Sequence, residues 1–209
     1  MATLLRIDSS PLGDGASFSR QLTAEFVENW KRTHPDGRVV IRDVTATALA
    51  PINAEWIGAA YAPKGNLTPR HREILALSNE LISELKAADE FVIGVPMHNF
   101  SIPGALKLWI DQIARVGETF SYENGSPAGL LQNKKATFLV ASGGVYEHGT
   151  PTFALNFIEP YLQSLFSFIG VTDTVFISAG GTARHRFGVD RGTILQPAFA
   201  SIHGQLQVA

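Results

Sequence analysis

The sequence predicts an α/β fold with a doubly wound, five-stranded parallel sheet. Two patterns predict it: short, nearly unbroken apolar runs suited to strands covered on both faces, and segments of 3.6-residue period that alternate with them. Length is the third observation, since 209 residues suit one domain spanning 1–209. Alternation of this kind implies right-handed crossovers, with helices on both faces of the sheet.

Leu4 to Ile7 reads as the first strand. Leu22, Phe26 and Trp30 then recur every four residues and form one stripe on a first helix. Val39 to Val44 is the second strand, followed by a long connection from Ala46 to Leu67. Loops of that length are uncommon and often functional. Trp56 and Tyr61 within it suit either a lid or a cover for the core edge. Thr68-Pro69 supplies an N-cap and a first-turn proline for a second helix carrying Ile74, Leu77, Leu81 and Leu85. Phe91 to Val95 is the third strand, and Pro103 starts a third helix with Leu106, Trp109, Ile110 and Ile113. Ala136 to Val140 is the fourth strand. A fourth helix follows, its main part started by Pro160, carrying Leu162, Leu165, Phe166 and Ile169 and ended by Gly170. Val175 to Ile177 is the fifth strand. A last helix lies between Asp190 and Leu206, where Pro197 is expected to interrupt or kink it.

Composition narrows the function classes. With 45% hydrophobic and 17% charged residues, the chain is globular rather than disordered. A net charge of −2, with both signs scattered, gives no basic face for nucleic acid. The absence of cysteine excludes disulfides, thiolate metal sites and a cysteine nucleophile, and no metal site is expected. The first residues read as a strand rather than a leader, and no apolar run reaches the ~20 residues of a membrane helix. A cytoplasmic location is expected, which makes the sequons at Asn66, Asn99 and Asn124 chance matches.

In a doubly wound sheet the ligand sits outside the carboxyl ends of the strands, so three loops matter. The first, from Ser9 to Arg20, is rich in serine and glycine and runs into a helix start. Backbone N–H groups, the helix dipole and the hydroxyls of Ser10, Ser17 and Ser19 could hold a phosphate there. An ordinary N-capped loop fits equally well. No G-x-x-x-x-G-K-[ST] run is present, and Gly13, Gly15 and Phe18 match only part of a dinucleotide turn. The second loop, Pro96-Met97-His98-Asn99-Phe100-Ser101-Ile102-Pro103, mixes polar and apolar groups as a flat amphiphilic ring would need, though a turn with an incidental histidine fits too. The third, Ala141-Ser142-Gly143-Gly144-Val145-Tyr146, permits close backbone approach to a planar ligand or a plain tight turn. Each is ambiguous alone; their shared sheet edge favours a ligand.

Ser17-x-Ser19, Met97-His98-Asn99-Phe100 and Gly143-Gly144 resemble the FMN-dependent NADH azoreductase/quinone reductase family. So do the stretch from Thr119 to Gly125 and the pair Gly129-Leu130, and the likeness runs over nearly the whole chain. The resemblance implies a flavodoxin-like sheet of strand order 2-1-3-4-5 and a homodimer with FMN at the subunit interface. It also implies hydride passing from NADH or NADPH through FMN to quinones and azo compounds, with donor and oxidant binding in alternation. Carried over by residue, Ser10, Ser17, Phe18 and Ser19 would hold the FMN phosphate. Pro96, Met97, His98, Asn99 and Phe100 would line the isoalloxazine, and Ala141, Ser142, Gly143 and Gly144 the pyrimidine end. The family commonly has Tyr where this chain has His98, and often His where it has Tyr146, so substrate preference and pH profile are expected to differ. Both residues are candidates for positioning substrate or flavin, with His98 expected to pack rather than to donate a proton. The main alternative is a flavodoxin-type electron carrier without nicotinamide-oxidising activity, though such carriers tend to be smaller and strongly acidic. A flavin-free interaction module is the third reading.

Overall fold

A computed structural model describes residues 1–123 and 125–207, so the sequon at Asn124 lies outside the described residues. Five parallel strands form the main sheet: β1 (Thr3–Asp8), β2 (Arg38–Asp43), β3 (Glu90–Pro96), β6 (Lys135–Ala141) and β7 (Asp173–Ala179), in the order β2-β1-β3-β6-β7. That is the expected 2-1-3-4-5 order. Each strand extends one or two residues beyond its apolar run, except that Val44 falls just outside β2. The order reverses beside β1, which pairs with β2 through Leu5↔Val40 and with β3 through Leu5↔Phe91.

Alternation along the strands divides the core in two. Leu4, Val92, Leu139 and Ile177 pack under α1 (Phe18–Thr33) and α7 (Arg191–Gln207), where Leu22, Phe26 and Trp30 form the expected stripe. Leu5, Ile7, Phe91, Ile93 and Phe138 face the other way. There they meet α4 (Ala76–Ala87), α5 (Gly104–Ile113) and α6 (Ile158–Phe168). Gly170 follows α6 with φ of +104°. The expectation that all strands are covered on both faces fails at β2, where Ile41 is 60% exposed. It is an edge strand, and its cover ends at Ile41, while Val39 on the same face still packs against the core.

Other boundaries also differ from expectation. The second helix divides into α3 (Pro69–Ile74), capped by Thr68 Oγ1 accepting from the His71 N–H, and α4. At the junction Leu75 turns with ψ of 0°, which lets Leu75 and Ile74 pack on Trp56 and Ala59 while Leu81 and Leu85 reach the sheet. The connection 46–67 contains α2 (Ala54–Ala60) and a short 3-10 helix, Lys64–Asn66. Trp56 within it is buried and donates its indole N–H to Gln112 Oε1 at 2.9 Å, so it covers the core edge. Between α5 and β6 an antiparallel hairpin, β4 (Phe120–Glu123) with β5 (Ser126–Gly129), stands where the sequence showed only a connection. Pro197 does not interrupt α7. Pro197 and Thr193 both lie on its exposed side, where water can take the carbonyl that proline leaves without a donor. No described helix is long and apolar enough to cross a membrane.

Candidate functional site

The carboxyl ends of β1, β3, β6 and β7 surround a cavity of about 490 Å³. Ser10, Ser17, Phe18, Ser19, Pro96, Met97, His98, Ala141 and Gly143 line it, so nine of the residues expected from sequence converge on one surface.

At one end lies the start of α1. Ser17 is its N-cap: the backbone there is extended, and Oγ accepts from the Arg20 N–H at 3.2 Å. The hydroxyls of Ser17 and Ser19 stand 3.2 Å apart, both buried. The first-turn N–H groups of Phe18 and Ser19 have no i−4 carbonyl within the helix. This is an anion cradle made of backbone donors and hydroxyls.

The only basic residue of that loop is committed elsewhere. Arg20 is buried and donates to the Ser10 carbonyl through Nε at 3.2 Å and Nη2 at 2.7 Å, with Nη2 also 2.6 Å from Asp43 Oδ2. Burial by itself would raise the Asp43 carboxyl. Hydrogen bonds from Thr45 and Arg20 outweigh it and hold the group below its ordinary range. Asp8 accepts from Thr23 Oγ1 at 2.7 Å and stands 2.8 Å from Arg6 Nε, an ion pair without hydrogen-bond alignment. The loop is therefore built on a buried ionic layer that is already paired. Close approach of α1 to the sheet also requires Gly94: a Cβ there would lie 2.9 Å from Thr23 Cγ2 and 3.2 Å from the Ser19 carbonyl oxygen.

At the other end the loop after β3 folds back on itself. The His98 N–H donates to the Ser101 carbonyl at 2.9 Å and the Ser101 N–H to the His98 carbonyl at 3.0 Å, while Asn99 and Phe100 take φ of +50° and +69°. Two consecutive left-handed residues make a type I′ turn, uncommon for asparagine and strained for phenylalanine. Phe100 is held by the Phe157 N–H at its carbonyl and by an edge-to-face contact with Tyr146, centroids 6.0 Å apart. Asn99, Phe100, Ser142, Gly144 and Tyr146 therefore stand beside or behind the cavity wall rather than lining it. Ser142 Oγ donates to the Gly144 carbonyl at 2.9 Å, and the Tyr146 ring lies so close over Gly144 that a Cβ would be 3.0 Å from it.

Sequence reading missed the fifth loop. Thr182, Ala183, His185 and Arg186, on a 3-10 helix (Thr182–Phe187) after β7, complete the wall with Pro11, Leu12 and Ala16. The signal was present: Gly180-Gly181 ends the fifth strand at the same sheet edge and leads into Arg184-His185-Arg186. The Gly181, Thr182 and Ala183 N–H groups donate to the carbonyls of Gly144, Ser142 and Gly143 at 2.8, 3.0 and 3.2 Å. The Gly143-Gly144 turn is thereby stitched to the fifth loop.

A larger depression of about 670 Å³ lies at the opposite edge, among Glu90, Lys135 and Asp173 at the strands' amino ends. Charged and polar residues of both signs make up most of its lining, and it lacks the helix start and apolar ledge of the carboxyl edge. Ligands of doubly wound sheets bind at the carboxyl edge, and the smaller cavity is the candidate site.

Comparison with known proteins agrees with this geometry. Residues 2–196 match a family described as having a flavodoxin-like fold. The chain is 52% identical over 203 residues to an FMN-dependent NADH:quinone oxidoreductase of Acidobacterium capsulatum, covering 97% of this chain and 98% of that one. It is 49% identical over 183 residues to FMN-dependent NADH:quinone oxidoreductase 3 of Burkholderia lata, with 88% of each covered. Among solved structures, an FMN-dependent NADH-azoreductase of Bacillus anthracis, crystallised with FMN, superposes with a TM-score of 0.85 at 26% identity, covering 99% of this chain and 98% of that one. The chain belongs to the flavodoxin-like fold family and, within it, to the FMN-dependent NADH:quinone oxidoreductases and azoreductases.

Proposed function

We propose that this protein is an FMN-dependent oxidoreductase that takes hydride from NADH and delivers it to quinones and to azo compounds, cleaving the azo bond to aromatic amines. The observation that carries this reading is the cavity itself: it joins a hydroxyl-rich helix start to an apolar ledge at the carboxyl edge of the sheet. Its shape and donor set fit FMN, with an anion cradle at one end and Pro96, Met97 and the β6 loop offering a flat wall at the other. When bound, FMN supplies two-electron hydride chemistry, and the protein supplies position and electrostatics.

In this reading Ser10, Ser17, Phe18 and Ser19 hold the phosphate. Pro96, Met97 and His98 carry the ring, Asn99 and Phe100 shape its rim, and Ala141, Ser142, Gly143 and Gly144 orient the pyrimidine end. His98 packs rather than transferring a proton. Nicotinamide and oxidant occupy the open side in alternation, with NADH or NADPH as the donor. The working unit is one domain paired as a homodimer. The exposed apolar side chains Ile57, Tyr61 and Phe157 are what a second copy would cover. The cytoplasm, where NADH is supplied, is its place of action.

The test is the visible spectrum of the purified protein, recorded without air. A yellow protein that bleaches with NADH and recovers with a quinone supports the reading. One that is yellow but inert to NADH is an electron carrier of the flavodoxin type, and a colourless protein that takes up no FMN overturns the reading.

A further inference from the structure

We infer that Arg186, on the turn after β7, is a specificity residue that selects phosphorylated over unphosphorylated flavin. This rests on the flavin-binding reading above. A phosphate monoester carries about −1.5 to −2 charges near neutral pH, whereas a helix start offers about +0.5. The cradle at Ser17 and Ser19 therefore leaves roughly one negative charge to be met by a side chain.

The other candidate cations are already engaged. Arg20 is tied to the Ser10 carbonyl and Asp43. Arg191 lies 3.8 Å above the Phe18 ring and donates to the Ala16 carbonyl at 2.8 Å. Arg184 donates through Nε to the Gly181 carbonyl at 3.2 Å, and His185 pairs Nδ1 with the Val189 carbonyl at 3.0 Å. Arg186 lines the cavity and, among the described residues, its side chain has no hydrogen bond or ion pair.

Its position is set from both sides. The His185 ring meets the edge of Phe18, the first residue of α1, with centroids 6.0 Å apart, so the turn sits against the phosphate end. The hydrogen bonds from residues 181–183 to the β6 loop keep that turn from drifting. Arg186 is thus an unpaired cation on an anchored backbone, in the wall of the cavity that holds the cradle.

The experiment equilibrates the purified flavoprotein with equimolar FMN and riboflavin, removes free flavin and measures the bound ratio. In Arg186→Gln the ratio of FMN to riboflavin should fall about fivefold, the size expected for losing one solvent-exposed charged contact. FMN retention should also become less sensitive to NaCl, and Arg186→Lys should restore part of both. An unchanged ratio, or equal loss of both flavins, overturns the inference while leaving the flavin-binding reading intact. A wild-type protein that retains neither flavin overturns both.

Discussion

Two donors of the Arg20 guanidinium, Nε at 3.2 Å and Nη2 at 2.7 Å, hold the backbone carbonyl oxygen of Ser10. The one basic residue of the Ser9–Arg20 loop therefore fixes that loop rather than facing the cavity. Arg20→Met removes the clamp and leaves Asp8 and Asp43 short of a partner. Urea denaturation should show a loss of about 3–5 kcal/mol, typical of breaking a buried ion pair. Arg20→Lys keeps the charge without the fork, so stability should recover more than flavin retention on gel filtration. Full retention of flavin in Arg20→Met would contradict this role.

Gly94 sets how closely α1 approaches the sheet. Gly94→Ala places a methyl 2.9 Å from Thr23 Cγ2, and overpacking of that kind costs about 1–3 kcal/mol. Thr23→Ser removes the clashing methyl while keeping the hydroxyl that donates to Asp8. Thermal melts should place the double variant above Gly94→Ala alone.

Phe100 holds a left-handed backbone at φ of +69°. Asparagine adopts that conformation more readily, so Phe100→Asn should raise stability by about 0.5–1 kcal/mol. The same change removes the ring that meets Tyr146 at the rim, and the KM for quinone should rise. A variant that is less stable, with KM unchanged, would show that the strain serves packing alone.

His98→Tyr should leave the NADH:quinone reductase rate within about twofold, because hydride transfer through a flavin needs no protein acid. A fall of tenfold or more in kcat would assign His98 a proton.

Glu25 Oε1 lies 2.6 Å from His203 Nε2, joining α1 to α7. That hydrogen bond, against the opposing effect of burial, holds the Glu25 carboxyl below its ordinary 4.5. A depressed carboxylate stabilises the fold above its unfolded value, and the contribution is lost as pH falls through the folded one. Glu25→Gln should therefore be less stable than wild type above about pH 5, by no more than about 1 kcal/mol. The two melting curves should converge as acid protonates the Glu25 carboxyl in the folded state.

The strands, the first helix and the three loops at the carboxyl edge were legible from local pattern. Strand and helix periods are set by residues a few positions apart, and strand order with right-handed crossovers then places the loops. Leu4 and Leu5 show how far this reaches, since neighbours in sequence pack in separate halves of the core. What tertiary structure alone decided is which groups remain free at the site. Arg20 was claimed by Asp43, 23 positions away. The turn bearing Arg186 met the Ser17 cradle across more than 160 residues of chain. Such pairings depend on long-range convergence of side chains, which periodicity does not encode, and they determine which charges a ligand can meet.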